Sequence, residues 1–98
     1  MTDLCSEIEK FGKGIGNTNR YHLLEALLAG PLTVTDLSDK VGLSQPAVSQ
    51  HLKVLKENNL VTDTRNGKEI YYSLNTHYVV TLLTRLITQM RNDKQKKK

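Results

Sequence analysis

The stretch from Gly42 to Leu55 constrains the fold of this 98-residue chain more than any other, because it has the signals of a capped helix with two different faces. Ser44 can cap the first free amides, and Pro46 falls in the first turn, where no intrahelical donor is lost. Apolar side chains recur at helical spacing on one face, and polar side chains lie on or near the other. The apolar residues are Val48, Leu52 and Leu55, and the polar residues are Ser44, Gln45, Ser49, Gln50 and Lys53.

The composition is that of one globular domain. The chain has 38% hydrophobic and 24% charged residues, and no apolar run approaches the roughly 20 residues of a membrane span. Its N-terminus lacks the basic start and the apolar stretch of a signal peptide, so we expect a cytoplasmic location and no membrane partner. We expect residues 1–92 to form the domain and the lysine-rich residues 93–98 to be a disordered basic tail.

The charge is distributed unevenly along the chain. The net charge of +4 is carried entirely by residues 91–98, and the rest of the chain is neutral. Within that neutral part, residues 40–68 carry +3 and residues 1–39 carry −3. This distribution fits a middle segment that faces phosphates, although charge alone also allows a chance arrangement.

Three helices are predicted before the one described above. The first spans residues 3–13 and is interrupted by glycines at 12, 14 and 16. The second runs from an Asn17 or Thr18 cap to about Ala29, and residues 33–36 resemble a capping box that opens the third. The apolar face of the second helix consists of Leu23, Leu24, Leu27 and Leu28.

After Asn59 the pattern becomes strand-like. Runs at 60–64 and 69–74 flank an Asn-Gly pair, which is a strong hairpin signal, and place Arg65 and Lys68 at the tip. A final helix from Thr76 to about Arg91 offers more apolar surface than one side of a small domain requires, so we expect part of it to meet a second subunit. The residues expected on the buried side of the hairpin are Val61, Ile70, Tyr72 and Leu74.

These elements predict a mainly α fold with a β-hairpin, a winged helix-turn-helix. From about Asn17 to Met90 the sequence resembles the ArsR/SmtB family of bacterial and archaeal repressors, and the pattern Ser-Gln-x-x-Val-Ser-x-His-Leu at residues 44–52 is its most specific match. The resemblance implies homodimers that form through the first and last helices. It also implies recognition helices in successive major grooves of a pseudo-palindromic, double-stranded operator DNA.

The resemblance implies base and phosphate contacts from the recognition helix, residues 44–56. It implies contacts to the DNA backbone from Lys53 and from Arg65 and Lys68 of the wing, residues 65–68. Gln can pair with an adenine edge, and a helix N-terminus favours phosphate. Other readings stay open: Ser44 as only a cap, the neighbouring polar residues as only solvated, and His51 as half-buried. Thr33 and Thr35 are further phosphate candidates, although capping accounts for at least one of them. The candidate DNA contacts are Ser44, Gln45, Ser49, Gln50, His51, Lys53, Arg65 and Lys68.

Metal-sensing relatives need thiolates at positions equivalent to 33–40, or carboxylate and imidazole pairs on the final helix. Residues 33–40 contain no cysteine, and His77 stands one place away from a ligand position. We therefore expect no metal and no cofactor, and identify no small-molecule ligand. The residues at the four zinc-ligand positions are Thr76, Tyr78, Gln89 and Asn92.

Cys5 is the only cysteine, so no intramolecular disulfide can form. One alternative is a repressor that responds to thiol oxidation through Cys5, and another is that this thiol is inert.

No catalytic constellation can be assembled, so we expect no enzyme. The expected function is sequence-specific DNA binding by a homodimeric transcriptional repressor. The competing class is a winged-helix protein-interaction module, but a scaffold would need none of the polar and basic residues in 44–53 and 65–68.

Overall fold

The computed structural model describes residues 4–96, with side chains described as far as residue 92. Five helices and one hairpin form a winged helix-turn-helix, as the sequence predicts. No helix within the described range is long and apolar enough to cross a membrane. The elements are α1 (Leu4–Ile15), α2 (Thr18–Leu27), α3 (Val34–Val41), α4 (Gln45–Glu57), β1 (Val61–Asn66), β2 (Glu69–Leu74) and α5 (Thr76–Lys96).

Short polar side chains define the starts of α2, α3 and α4. The Asn17 side chain accepts a hydrogen bond from the amide of residue 20 at 3.1 Å, which confirms the predicted cap of α2. Thr33 and Asp36 form a reciprocal capping box at α3, and Ser44 accepts from the amide of residue 47 at 3.3 Å. Each bond satisfies a donor that has no partner inside its own helix. The three predicted caps are therefore confirmed.

Helix α1 continues to Ile15, beyond the predicted interruption by glycines. Gly14 is buried because the side chains of Leu60 and Leu55 occupy the space that a side chain at this position would need. The Arg20 guanidinium donates to the carbonyl oxygens of Gly14 at 2.9 Å and Lys13 at 2.8 Å. A cation on the last carbonyls stabilises a helix end. Packing and this cap together outweigh the low helix propensity of glycine.

The core lies where α2, α3 and α4 meet the base of the hairpin. Full burial of one leucine or valine contributes about 1.5–3 kcal/mol, so the three residues from α4 tie that helix firmly to the domain. Leu28, predicted on the inner face of α2, is instead 71% exposed, because it caps the C-terminal end of the helix, one position past its last residue. The buried cluster consists of Leu23, Leu27, Leu37, Val48, Leu52, Leu55, Leu60 and Val61.

The hairpin is antiparallel and closes with a two-residue loop, Gly67-Lys68, between the paired residues Asn66 and Glu69. Gly67 has a φ of +66°, as the first central residue of a type II′ turn requires. The turn is thus one residue later than a turn centred on the Asn-Gly pair. Arg65 and Lys68 lie at or next to the tip, as predicted.

The base of the hairpin is attached to the body of the domain, and the tip is not. Leu32 and Tyr72 exchange two backbone hydrogen bonds of 3.0 and 2.8 Å, which form an isolated antiparallel bridge beside β2. Ile70 was predicted to be buried but is 40% exposed, because it pairs with Arg65 near the tip, beyond the reach of the core. The alternation in β2 was therefore a poor guide to burial at its outer end.

Helix α5 is held against α1 by one buried leucine and one polar cluster. Leu82 is buried, and the Glu7 carboxylate accepts hydrogen bonds from Arg85 at 2.7 Å and from the Tyr78 hydroxyl at 3.3 Å. Burial, together with the neighbouring Glu7 charge, raises the pKa of Tyr78. The phenol therefore stays protonated and continues to donate as the solution becomes moderately alkaline.

Helix α5 is longer than predicted, and one stripe of its exposed surface is apolar. It extends to Lys96 rather than ending near Arg91, because helix propagation is inexpensive for lysine and glutamine once a helix has formed. The predicted basic tail is thus helical over residues 93–96, whereas its last two residues lie outside the described range. The boundary at residue 92 stays a prediction. The exposed apolar residues of α5 are Val80, Leu83, Ile87 and Met90.

Two glycines of α1 provide a matched test of this packing. Gly14→Ala should lower the free energy of unfolding by about 1–3 kcal/mol, because the new methyl group would overlap the buried Leu60 side chain. Gly12→Ala meets nothing within 4 Å and should raise it by about 0.5–1 kcal/mol. Urea-induced unfolding measures both variants, and equal stabilities would contradict the packing described for α1.

Candidate nucleic-acid interface

The orientation of α4 follows from its buried stripe. Val48, Leu52 and Leu55 have 0%, 1% and 0% of their surface exposed, so this side of the helix is closed to any partner. Residues four positions apart lie nearly above one another on a helix, so Gln45 and Ser49 start a second stripe that flanks the buried one. Both are exposed, as is Lys53 one turn further on. This exposed polar stripe, residues 45, 49 and 53, is therefore one part of α4 that can contact DNA.

The turn between α3 and α4 sets the angle at which α4 leaves the domain. Gly42 adopts the left-handed conformation with a φ of +77°, and its amide donates to the Ser38 carbonyl at 2.9 Å. The Ser38 hydroxyl then donates to the carbonyl of Leu43. These two bonds cross the turn, and the Ser44 cap follows directly. The hydrogen bonds of the turn and the Ser44 cap together fix the position of the first turn of α4.

The remaining candidates on α4 differ in exposure. Gln50 is exposed, whereas His51 is half-buried, as the alternative reading of that residue expected. Thr33 is buried and engaged in its capping box, so capping accounts for it, while Thr35 is exposed. Among the two threonines, only Thr35 is thus placed to reach a phosphate.

Basic side chains lie beside the exposed polar stripe and on the wing. Arg65 and Lys68 are both exposed, and the Arg65 guanidinium donates to the Gly67 carbonyl at 3.2 Å, which keeps it near the tip. Lys56 differs, because its ammonium group pairs with the Asp63 carboxylate of β1 at 2.8 Å. That hydrogen bond and charge raise the pKa of Lys56. The positive charge of Lys56 is therefore balanced locally by the Asp63 carboxylate.

Groups that could bind a metal or respond to oxidation are sparse. Within the part of the chain whose side chains are described, no three His, Cys, Asp or Glu residues come close enough to hold a metal ion. Cys5 is exposed and borders a shallow groove between α1 and α5, lined also by Ile8 and Leu86. The absence of a metal sensor and the redox response of Cys5 both stay predictions.

Sequence reasoning missed several polar bonds between distant elements. These include the pairing of Glu7 with Arg85, that of Lys56 with Asp63, and a bond from Asn75 to the end of α4. Apolar periodicity gives no sign of them, because each joins exposed or half-exposed residues whose partners depend on the tertiary fold. The nearest sequence signal for any of these bonds is the short polar run Asn58-Asn59 before the strands.

The fold and this surface define a winged helix-turn-helix protein with an exposed, capped recognition helix. Residues 17–63 match a family model described as the bacterial regulatory protein, arsR family. The transcriptional repressor SdpR of Bacillus subtilis is 39% identical over 64 residues, which cover 65% of this chain and 71% of SdpR. The chain therefore belongs to the arsR family of bacterial regulatory proteins, and its relatives include transcriptional repressors.

Two further similarities extend over more of the chain. The HTH-type transcriptional regulator NmtR of Mycobacterium tuberculosis is 40% identical over 75 residues, or 76% of this chain, but the match spans only 62% of NmtR. The crystal structure of NolR from Sinorhizobium fredii is 36% identical and superposes with a TM-score of 0.70, covering 84% of this chain and 82% of NolR. The structural match to NolR thus covers more of the chain than the family model does.

Ser44 and Ser49 allow capping to be separated from surface exposure on one helix. Ser44→Ala should lower the free energy of unfolding by about 1 kcal/mol, because the amide that it caps loses its partner. Ser49→Ala, at an exposed position of the helix interior, should change it by less than about 0.5 kcal/mol. Thermal unfolding of the two variants checks this, and a loss at Ser49 as large as that at Ser44 would contradict the capping role.

Proposed function

We propose that this protein is a homodimeric, cytoplasmic repressor that binds a pseudo-palindromic operator and blocks transcription there. The observation that carries the proposal is the exposed polar stripe at the capped start of α4. Burial of Val48, Leu52 and Leu55 leaves the exposed polar stripe, Gln50 and the first-turn amides as the part of α4 that can enter a major groove.

Each candidate has a role that suits its chemistry and exposure. Gln45 and Ser49 read base edges, because an amide can form two hydrogen bonds with adenine and a hydroxyl can both donate and accept. Ser44 and the free amides of the first turn bind phosphate, and Gln50 extends the contact at the edge of the groove. Lys53, Arg65 and Lys68 bind the backbone through charge. His51, being half-buried, acts mainly in positioning.

The dimer is proposed to form through α1 and α5. Ile87 and Met90 are 58% and 61% exposed, and together with Val80 and Leu83 they form a stripe at spacings of three and four residues. Such a stripe packs well against a second helix and is costly to leave in water. A second copy of the chain would cover this stripe and align two recognition helices for two half-sites. No metal, cofactor or small-molecule effector is part of the proposal.

Removing the base-reading groups tests the function directly. Gln45→Ala combined with Ser49→Ala should reduce the preference for the operator over unrelated DNA by about tenfold or more, because each lost base contact costs about 1–3 kcal/mol. Affinity for unrelated DNA should stay the same. Fluorescence anisotropy at fixed salt, with duplexes from the upstream region of the gene and scrambled duplexes, measures both affinities.

Glu57→Gln serves as the control, since it alters an exposed residue at the other end of the same helix. Analytical ultracentrifugation verifies that all variants keep the same mass. Unchanged discrimination in the double variant would overturn the assignment of base contacts. A wild-type protein without preference for any upstream sequence would favour the protein-interaction module instead.

The wing makes a separate electrostatic prediction. Lys68→Gln should lower the slope of log affinity against log salt by about one per protomer, because one phosphate contact is lost. Lys10→Gln makes the same charge change on α1, away from the proposed DNA surface, and should leave the slope nearly unchanged. Titrations at four or more salt concentrations measure the slopes, and equal reductions in both variants would mean that only net charge matters.

A further inference from the structure

We propose that Asn75 is a positioning residue that sets the angle of the recognition helix relative to the dimerisation helix. The inference rests on the function proposed above, in which α4 reads DNA and α5 joins two protomers. It concerns a residue outside both surfaces. Asn75 lies between β2 and α5 and contacts the far end of α4 instead of its DNA-facing start.

The end of α4 has a tightly specified backbone. Asn59 adopts the left-handed conformation with a φ of +64°, the only positive φ of a non-glycine residue in the described part of the chain. Its amide donates to the Lys56 carbonyl at 3.1 Å, and the amide of Leu60 donates to the Leu55 carbonyl at 2.9 Å. This pair of bonds is a Schellman motif, which satisfies two carbonyls of the last turn. The peptide that leaves α4 therefore has a defined direction.

Asn75 bonds to that peptide and to α5 at the same time. Its side-chain amide donates to the Asn59 carbonyl at 3.0 Å, and its backbone amide donates to the Leu60 carbonyl at 2.9 Å. Its side-chain oxygen accepts from the Tyr78 amide at 3.4 Å, and its carbonyl accepts from the Val79 amide at 3.1 Å, so Asn75 also opens α5. One asparagine thus joins the end of the recognition helix to the start of the dimerisation helix.

The connection continues into α1. Tyr78, in the first turn of α5, donates to Glu7 at 3.3 Å, and Glu7 also binds Arg85 at 2.7 Å. The two helices proposed to form the dimer are therefore bonded to each other and, through Asn75, to the end of α4. The core packing of α4 sets its approximate place, and these directional bonds limit its rotation.

A small rotation at this end has a large effect at the other. Helix α4 has 13 residues and is roughly 20 Å long, so a tilt of about 5° about its end displaces its first turn by about 2 Å. Such a displacement exceeds the tolerance of a hydrogen bond to a base edge. In a dimer both recognition helices would shift, so binding to a two-part operator would suffer, whereas binding through charge alone would not.

The test compares two asparagines that make the same kind of bond in different places. Asn75→Ser shortens the side chain so that no donor reaches the Asn59 carbonyl, but it keeps an oxygen that can cap α5. Asn58→Ser is the matched control, because the side-chain amide of Asn58 donates to the Val54 carbonyl at 2.9 Å, within α4 itself. Asn75→Asp is a second test variant, since it keeps the size and the cap and loses the donor. All are compared with wild type for affinity to operator and scrambled duplexes.

We expect Asn75→Ser and Asn75→Asp to lower operator affinity roughly five- to tenfold, the loss that one such hydrogen bond supports. Affinity for scrambled DNA and the dimer mass should stay at the wild-type level, and Asn58→Ser should keep the wild-type ratio of the two affinities. A general loss of stability would reduce binding to both duplexes and leave that ratio unmoved.

Two outcomes would overturn the inference: an unchanged ratio in both Asn75 variants, or the same change of ratio in Asn58→Ser. The Gln45→Ala, Ser49→Ala protein, measured in parallel, separates this failure from failure of the proposed function. If that protein loses discrimination and the Asn75 variants keep it, only the positioning role is wrong. If no protein, including wild type, discriminates, the proposed function and this inference fail together.

Discussion

The burial of one stripe of α4 is the constraint on which the rest of the structure depends. Val48, Leu52 and Leu55 enter the core beside residues from α2, α3 and the base of the hairpin, and every other element either packs on that cluster or is attached to one that does. Because a helix cannot bury both of its sides in so small a domain, the same packing leaves Gln45, Ser49 and Lys53 in water. Exposure of a DNA-facing surface is thus a direct consequence of how the core forms.

The ends of α4 are specified by different means, and the difference matters for function. At its start, the Ser44 cap and the turn at Gly42 set where the free amides point, and those amides are part of the proposed phosphate site. At its end, the left-handed Asn59 and the side chain of Asn75 connect the helix to α5. Apolar contacts do not depend on direction, whereas hydrogen bonds do, so the hydrogen bonds restrict the orientation of α4 more closely. In our account, apolar burial stabilises α4 against the rest of the domain, and the hydrogen bonds at its two ends set the orientation of its axis.

Local signals predicted most of this fold, because caps, turns and helical periodicity are properties of neighbouring residues. The caps at Asn17, Thr33 and Ser44 and the buried residues of α4 were all evident from the sequence. Failures occurred where the tertiary structure decides. Ile70 keeps a strand-like alternation yet extends past the core, and Gly14 belongs to a helix because Leu60 fills the space beside it. The exposure of the candidate contacts other than His51 was predictable, but their alignment was not, since the bond from Asn75 to Asn59 spans 16 positions of sequence.

The central claim is that this chain meets DNA with the polar side of α4 and the tip of the wing. The most direct measurement is amide NMR of the ¹⁵N-labelled protein during titration with a duplex from its own upstream region, with a scrambled duplex at the same salt for comparison. The account predicts that the duplex-specific shift changes cluster at residues 44–53 and 65–68 and leave the exposed face of α5 unaffected. Specific changes confined to α5, with residues 44–53 unmoved, would contradict it.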